Sequence, residues 1–476
     1  MGEGGFPEPA RGDETRFALR RGREVVLHAT GFRHPAPWPG RGERFTAYAD
    51  LLHVFPGARA LRIGSRRGCV VVPRAAFATP QDATRLALRL RERAAAAPGG
   101  QARLARMARL DARTLSGGRA PVMRGVVAAC VVAFALQWWF YPRFEYAGAF
   151  SAELVRAGEL WRLVTANFLH GSLPHLLLNG LGLLVLGGLL ESIVGSRAAA
   201  VVLAAAALGA MGGSLLADYF QAVGASGLLT GAVGALLWLE LRRPQVIPAP
   251  WRIPREILIG ALLADAFLLS FVPGVAHAAH AGGFVAGAAA TAWLFPSGAE
   301  APRAGPALAL AQVAAAGVGV LSVAALVVAM GAPLERTARL RAERLLELEG
   351  VRPEALNNEA WMIATARDPA PALVEVALRL AERAAAGTAR RDPNILDTLA
   401  EVLFVSGRPD EAVAVIDEAI ALAPEVPYFR EQRRRFTGER DADDRPEPPD
   451  QPWAPEPAPP DRPPAPSEDD PPGIRV

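Results

Sequence analysis

Between residues 124 and 331 the sequence holds seven apolar runs, at about 124–141, 172–192, 198–217, 226–241, 256–272, 277–296 and 307–331. Each approaches the roughly 20 residues that a helix needs to cross a bilayer. In hydrocarbon every backbone N–H and C=O must be satisfied internally, and a single-chain segment achieves this only as a helix. The runs therefore predict a mainly α, polytopic membrane protein and exclude an ordinary soluble one. Trp138, Trp139 and Tyr141 close the first run like an interfacial aromatic belt. Arginine sorts the loops. It crowds the chain before the first run, then recurs at Arg197 after the second and at Arg242, Arg243, Arg252 and Arg255 after the fourth. The segments after the third and fifth runs carry none, an alternation that predicts a cytoplasmic N-terminus in the inner (plasma) membrane.

Composition bears on partners. The formal net charge of +3 is too small to argue for nucleic acid, and 51% hydrophobic against 21% charged residues points to the bilayer as the main partner. All the basic residues are Arg and none is Lys, which reflects base composition, not function. The two cysteines, Cys69 in a polar region and Cys130 inside an apolar run, do not suggest a disulfide or a metal cluster. The first residues have no apolar signal core, so no cleaved leader is expected. No cofactor and no metal are expected.

Two flanking regions are polar. Residues 1–105 read as a small α+β cytoplasmic domain, with short strands at Glu24–His28, Ala60–Ile63 and Cys69–Val72 and a helix from Pro80 to about Ala97. Thr79 is placed to cap that helix, with Pro80 at its first position and Asp82 in its first turn. Strands closed by one helix resemble, in pattern only, bacterial pleckstrin-homology-like domains. An Arg-rich connector, 106–121, leads to the transmembrane region, 122–331. Beyond it, 334–436 reads as helical repeats. Leu396, Leu399, Ala400, Leu403, Gly407, Ala412, Ile416, Ala419 and Pro424 follow the tetratricopeptide pattern, and Ala377 lies 35 residues before Ala412 in a looser copy. Such repeats imply a docking scaffold for a protein partner. The tail, 437–476, is rich in Pro and acidic residues and is expected to be disordered.

Polar groups in a membrane are costly and ask for a reason. Four of the seven histidines, His170, His175, His277 and His280, lie in or beside the apolar runs, toward the ends predicted to face outward. Ser226 and Asn179 share that level. Ser226 precedes the GxxxG step Gly227–Gly231, and His280 precedes a second one, Gly283–Gly287. Small residues four apart let two membrane helices approach closely, so facing ladders would bring the hydroxyl to the imidazole. A hydrogen-bonded neutral His activates a serine that is otherwise a weak nucleophile. His175 and Asn179, four apart on one helix face, can donate to an oxyanion, as can the Ser226 backbone N–H.

These residues resemble a family, the rhomboid intramembrane serine proteases. The likeness runs from about Trp161 to Gly287. It rests on Trp161-Arg162, His170-x4-His175-x3-Asn179, Gly187-x3-Glu191, Gly224-Ala-Ser-Gly227 and Ala279-His-Ala-Gly-Gly283 with Gly287. The resemblance implies a six-helix core with a Ser–His dyad that cleaves single-pass membrane proteins, here with a seventh helix and C-terminal repeats. It carries over Ser226 as nucleophile, His280 as base, and His175 and Asn179 as oxyanion donors. The sequence departs from the family at Thr230, often an aromatic packed on the base, and at Ala276, often an acid.

Blander readings stand beside these. Taken alone, a serine in a glycine-rich membrane helix is a packing residue. His170 reads as a loop or supporting group and His277 as a solvent-facing loop residue. Asp265, inside the fifth run, invites a Ser–His–Asp triad, but because a dyad works without an acid it reads as water-lined or helix-capping. Glu191 and Arg162 read as structural braces. A catalytically inactive rhomboid-like protein that binds membrane clients is the alternative function, although such proteins lose the Ser or the His. A transporter would show internal repeats of helices, and none is seen. Seven crossings place the C-terminal repeats outside the cytoplasm.

Overall fold

The computed structural model describes residues 15–36, 42–141, 143–267, 275–332, 335–366 and 369–446. It divides into two compact units, residues 1–332 and 333–476.

Among its described residues the first unit begins with seven strands: β1 (Thr15–Ala18), β2 (Glu24–Leu27), β3 (Gly31–Pro35), β4 (Glu43–Ala47), β5 (Leu51–Pro56), β6 (Ala60–Ser65) and β7 (Gly68–Pro73). They pair in sequence order as a four-stranded and a three-stranded antiparallel sheet. Helix α1 (Pro80–Ala96) packs its buried Leu86 and Leu90 with Val25, Phe32 and Leu61 of the two sheets. Its start is a capping box: the Thr79 N–H and hydroxyl both donate to Asp82 Oδ2, at 3.0 and 2.8 Å. The Arg-rich connector is largely a second helix, α2 (Gly100–Ser116), with Met107 in the same core. Buried Arg103 on this helix donates to the carbonyls of Ala94 and Pro98.

Five of the apolar runs become α3 (Pro121–Trp139), α4 (Leu173–Val194, with a π-helical turn at Leu183–Gly187), α5 (Ser196–Leu216), α6 (Ser226–Arg242) and α7 (Arg255–Phe267). The last two become α8 (His277–Leu294) and α9 (Pro306–Gly331). Among the described residues, four stretches can cross a membrane by length and composition: Gly100–Trp139 through its apolar α3 half, and α4, α5 and α9. The other three are shorter or less apolar. The physical reason lies in packing. Helices α6 and α8 are rich in Gly and Ala because they face protein, where close approach matters more than lipid solubility. The end of the fifth run, 268–272, lies outside the described residues.

The membrane helices hang together by backbone approach. A Cβ on Gly283 would stand 2.2 Å from Gly227 O, and one on Gly287 would stand 2.2 Å from Gly231 O, so the two GxxxG ladders face each other. On the other side of α8, a Cβ on Gly282 would stand 2.1 Å from Gly209 O of α5. Glu191 stabilises the start of α3 by accepting from the N–H groups of Val122 and Met123, at 3.1 and 3.0 Å, donors a helix start leaves unsatisfied.

The strand domain docks at the far end of α6 from Ser226. Arg252, ion-paired with Glu240 near the end of α6, donates to Ser65 O at 2.6 Å. His53 Nδ1 accepts from Ala249 N–H at 2.9 Å while its Nε2 faces Asp111 Oδ1 at 3.0 Å. Burial holds His53 below its usual pKa, consistent with a neutral ring that accepts at Nδ1 and donates at Nε2. At a rise of about 1.5 Å per residue, the 14 residues from Ser226 to Glu240 separate the two ends by roughly 20 Å.

Among its described residues the second unit has six helices, α10 (Glu335–Glu347), α11 (Pro353–Ala364), α12 (Pro371–Gly387), α13 (Pro393–Val405), α14 (Pro409–Leu422) and α15 (Pro427–Phe436). Ala377, Ala381, Ala400, Ala412 and Ala419 are fully buried, which lets the helices pack closely. The first part of the tail is ordered, contrary to the sequence expectation. Glu401, fully buried and paired with Arg435, also accepts from Arg445 at 2.8 Å, so a second guanidinium anchors the chain there. The rest of the expected disordered tail, 447–476, lies outside the described residues.

Candidate active site

Ser226 is the first residue of α6, and the turn that delivers it is fixed from three directions. Gly224 N–H donates to Ala166 O at 2.9 Å. Gly224 itself has φ +127°, and a Cβ there would stand 2.7 Å from the His175 ring and 3.6 Å from Asn179 Nδ2. Only glycine meets both demands. Ala225 N–H points at His170 Nε2 at 3.4 Å, while His170 Nδ1 faces Phe168 O at 3.2 Å. That pattern assigns the ring proton to Nδ1 and leaves Nε2 as acceptor.

The loop before α4 is itself braced. Arg162, fully buried, pairs with Glu159 and donates to Ala149 O at 2.6 Å, and the Trp161 indole donates to Ala147 O at 2.9 Å. The residues read as structural from sequence do hold this loop. His170 does more than occupy it, because its ring supports the peptide preceding Ser226.

Helix α8 delivers the base candidate. With the ladders in contact, His280 Nε2 lies 2.8 Å from Ser226 Oγ. Thr230 Oγ1 sits 3.0 Å from His280 O and 3.1 Å from Gly227 O, so its hydroxyl ties α6 to the backbone of His280. An aromatic at this place would hold the ring by stacking; threonine holds the main chain instead. His280 Nδ1 lies 2.7 Å from Asp265 Oδ1 on α7. The structure thus overturns the reading of Asp265 as water-lined or helix-capping, since its carboxylate is engaged by His280. The available sequence signal was an acid inside an apolar run at the same outward level as His280. His277 is not a loop residue either. It is the first residue of α8, half-buried, with its ring centroid 6.2 Å from that of His280.

Asn179 is buried, and its Nδ2 has no hydrogen-bond partner among the described residues. A buried amide donor left open is costly, on the order of 1–3 kcal/mol, unless something else accepts from it. His175 stands beside it at the Gly224 turn, its ring centroid 5.1 Å from that of His170. The start of α6 adds backbone N–H groups that a helix leaves unsatisfied. The site therefore brings a serine on an imidazole next to several open donors, an arrangement suited to acyl transfer. Asp265, His277 and His280 also place one ligand atom each within 4.8 Å of one another, although two of the three are already bonded together.

Comparison with known proteins follows the same residues. A family model for the rhomboid domain matches residues 157–297. The chain is 34% identical over 154 residues to RHOMBOID-like protein 5 of Arabidopsis thaliana, covering 31% of this chain and 48% of that protein. It is 32% identical over 148 residues to Rhomboid protease GluP of Bacillus subtilis (strain 168), covering 31% of this chain and 28% of that one. Putative rhomboid protease YdcA of the same strain is 33% identical over 121 residues, 25% of this chain and 58% of that protein. The chain thus spans about half the length, or less, of the first relatives it matches. The Ser226 turn, the facing glycine ladders and His280 all lie inside the matched segment, so this chain carries a rhomboid domain at residues 157–297.

Proposed function

We propose that the protein is an intramembrane serine endopeptidase that hydrolyses peptide bonds in or near the membrane spans of single-pass proteins. The observation that carries this reading is the 2.8 Å approach of His280 Nε2 to Ser226 Oγ at the end of two locked helices. Ser226 Oγ attacks the scissile carbonyl carbon as its proton passes to His280 Nε2. The carbonyl oxygen becomes an anion and takes donors from Asn179 Nδ2, the His175 ring and the Ser226 backbone N–H. The tetrahedral intermediate collapses, the C–N bond breaks, and the proton on Nε2 goes to the leaving amine. Water then repeats the sequence on the acyl-enzyme. A peptide bond within an intact helix is shielded by its own hydrogen bonds, so substrates with Gly or Pro near the outer end of their span suit this site best.

The test is reconstitution in lipid vesicles with a generic single-pass substrate. Release of the substrate's outer fragment by the wild type is expected, and its absence would favour the alternative of an inactive client-binding protein. In the same assay Asn179→Ala should lower kcat by about 10²–10³ as one oxyanion donor is lost. Wild-type turnover in that variant would remove the second apolar run from the mechanism.

The reading extends to sidedness. Gln312 near the start of α9 donates to Arg197 O at 3.2 Å, whereas Met330 O at its end accepts from Arg143 at 3.2 Å. Leu326, on the last turns of α9, packs with Leu169, beside His170. These contacts support an α9 that crosses and releases the chain at the Ser226 end, in a plasma membrane with the strand domain in the cytoplasm. The C-terminal helices, which resemble tetratricopeptide repeats, would then offer a docking scaffold outside the cytoplasm. Protease added to intact spheroplasts should remove residues beyond about 335 and spare the strand domain. Protection of the C-terminal segment would mean that α9 does not cross.

A further inference from the structure

Asp265 is an acid within the otherwise apolar second half of α7. An ionisable group within an apolar helix is costly and needs a compensating partner. Helix α7 buries only Leu258 among its described residues and exposes Leu263 and Phe267, so packing does not account for an acid at 265. Its carboxylate lies 2.7 Å from His280 Nδ1, while the opposite ring nitrogen lies 2.8 Å from Ser226 Oγ. The three groups are collinear in role: acid, imidazole, hydroxyl.

We propose that Asp265 is a positioning residue that turns the Ser226–His280 dyad into a hydrogen-bonded triad. Resting on the protease reading above, this adds an orienting acid, carried on a separate helix, to that site. The His280 Nδ1–H donates to Asp265, which fixes the tautomer so that Nε2 is the open acceptor facing Ser226. When Ser226 attacks, its proton moves to Nε2 and the ring becomes an imidazolium. The Nδ1 proton stays on the ring, and the carboxylate offsets the new positive charge without taking a proton. The geometry also splits the labour between helices. Ser226 and His280 ride on α6 and α8, locked by backbone contact at Gly227–Gly283 and Gly231–Gly287, whereas Asp265 rides on the lightly packed α7.

The experiment uses the full-length protein in lipid vesicles with a single-pass substrate. Asp265→Ala and Asp265→Asn should lower kcat by up to about 10⁴ with little change in KM, as expected for an orienting acid. Asp265→Glu should recover part of the loss. In a His280→Ala background, Asp265→Ala should cost nothing further, because the acid acts only through the ring. Independently of any cleavage, the wild type should show a far-downfield imidazole Nδ1–H proton resonance that Asp265→Ala removes. Turnover in Asp265→Ala within a few-fold of wild type would overturn the proposal. So would a full additive loss in the His280→Ala background, or a chelator that reproduces the Asp265→Ala defect and so makes the carboxylate a metal ligand. A wild type that cleaves nothing but shows the resonance would instead overturn the protease reading and leave the hydrogen-bonded triad standing.

Discussion

Ser226→Ala should reduce substrate cleavage by a factor on the order of 10⁶, and His280→Ala by a comparable factor. Neither side chain can be replaced by its neighbours. In the proposed reaction the hydroxyl forms the new bond and His280 Nε2, 2.8 Å away, takes its proton. Because the two act as one unit, the double variant should be no slower than either single. Both substitutions only remove atoms from a half-exposed and a mostly buried position, so insertion and helix packing should persist. The measurement is cleavage in vesicles alongside circular dichroism and labelling by a serine-directed fluorophosphonate. Appreciable turnover in a clean Ser226→Ala preparation would end the assignment of the nucleophile.

The second large effect is mechanical. Gly287→Val is expected to lower the unfolding temperature and to cut activity by at least about 10², although residue 287 is two helical turns from His280. A Cβ at that position would stand 2.2 Å from Gly231 O and 2.7 Å from Gly231 Cα, both backbone atoms that cannot turn aside. The helices must separate, and over-packing of this kind costs about 1–3 kcal/mol or more. A misplacement of about 1 Å between reacting groups is worth about 10² in rate. The control is Gly319→Val on α9, where an added Cβ meets nothing within 4 Å and little should change. If Gly287→Val behaves like that control, α6 and α8 do not cross through their ladders.

Much of this molecule is legible in its sequence, and the reason is locality. Apolar runs, the Thr79–Asp82 cap and the small-residue ladders are properties of contiguous sequence, and each forms for causes that act within a few residues. The ladders even carried information between helices, since Gly227 and Gly283 leave so little choice about which faces meet. The arginine-rich connector read differently from its structure because charge density masked an amphipathic helix that buries Met107 and Leu110. The start of the tail was misjudged for a related reason. Composition predicts disorder, but the buried Glu401 carboxylate, 44 residues away, recruits Arg445.

By itself, then, the sequence determined where helices run, that Ser226 and His280 stand at one end of a glycine-lined contact, and which polar side chains share that level. Tertiary structure alone decided how the remaining polar groups pair. Asp265 engages His280 Nδ1, Thr230 binds the His280 main chain, and His170 supports the Ala225 peptide. The physical difference is one of dimension. Periodicity along a chain fixes which residues share a helix face. Hydrogen bonds form only within about 3 Å, and the rotation of α7 about its own axis, set by packing between helices, is not written in the spacing of its residues.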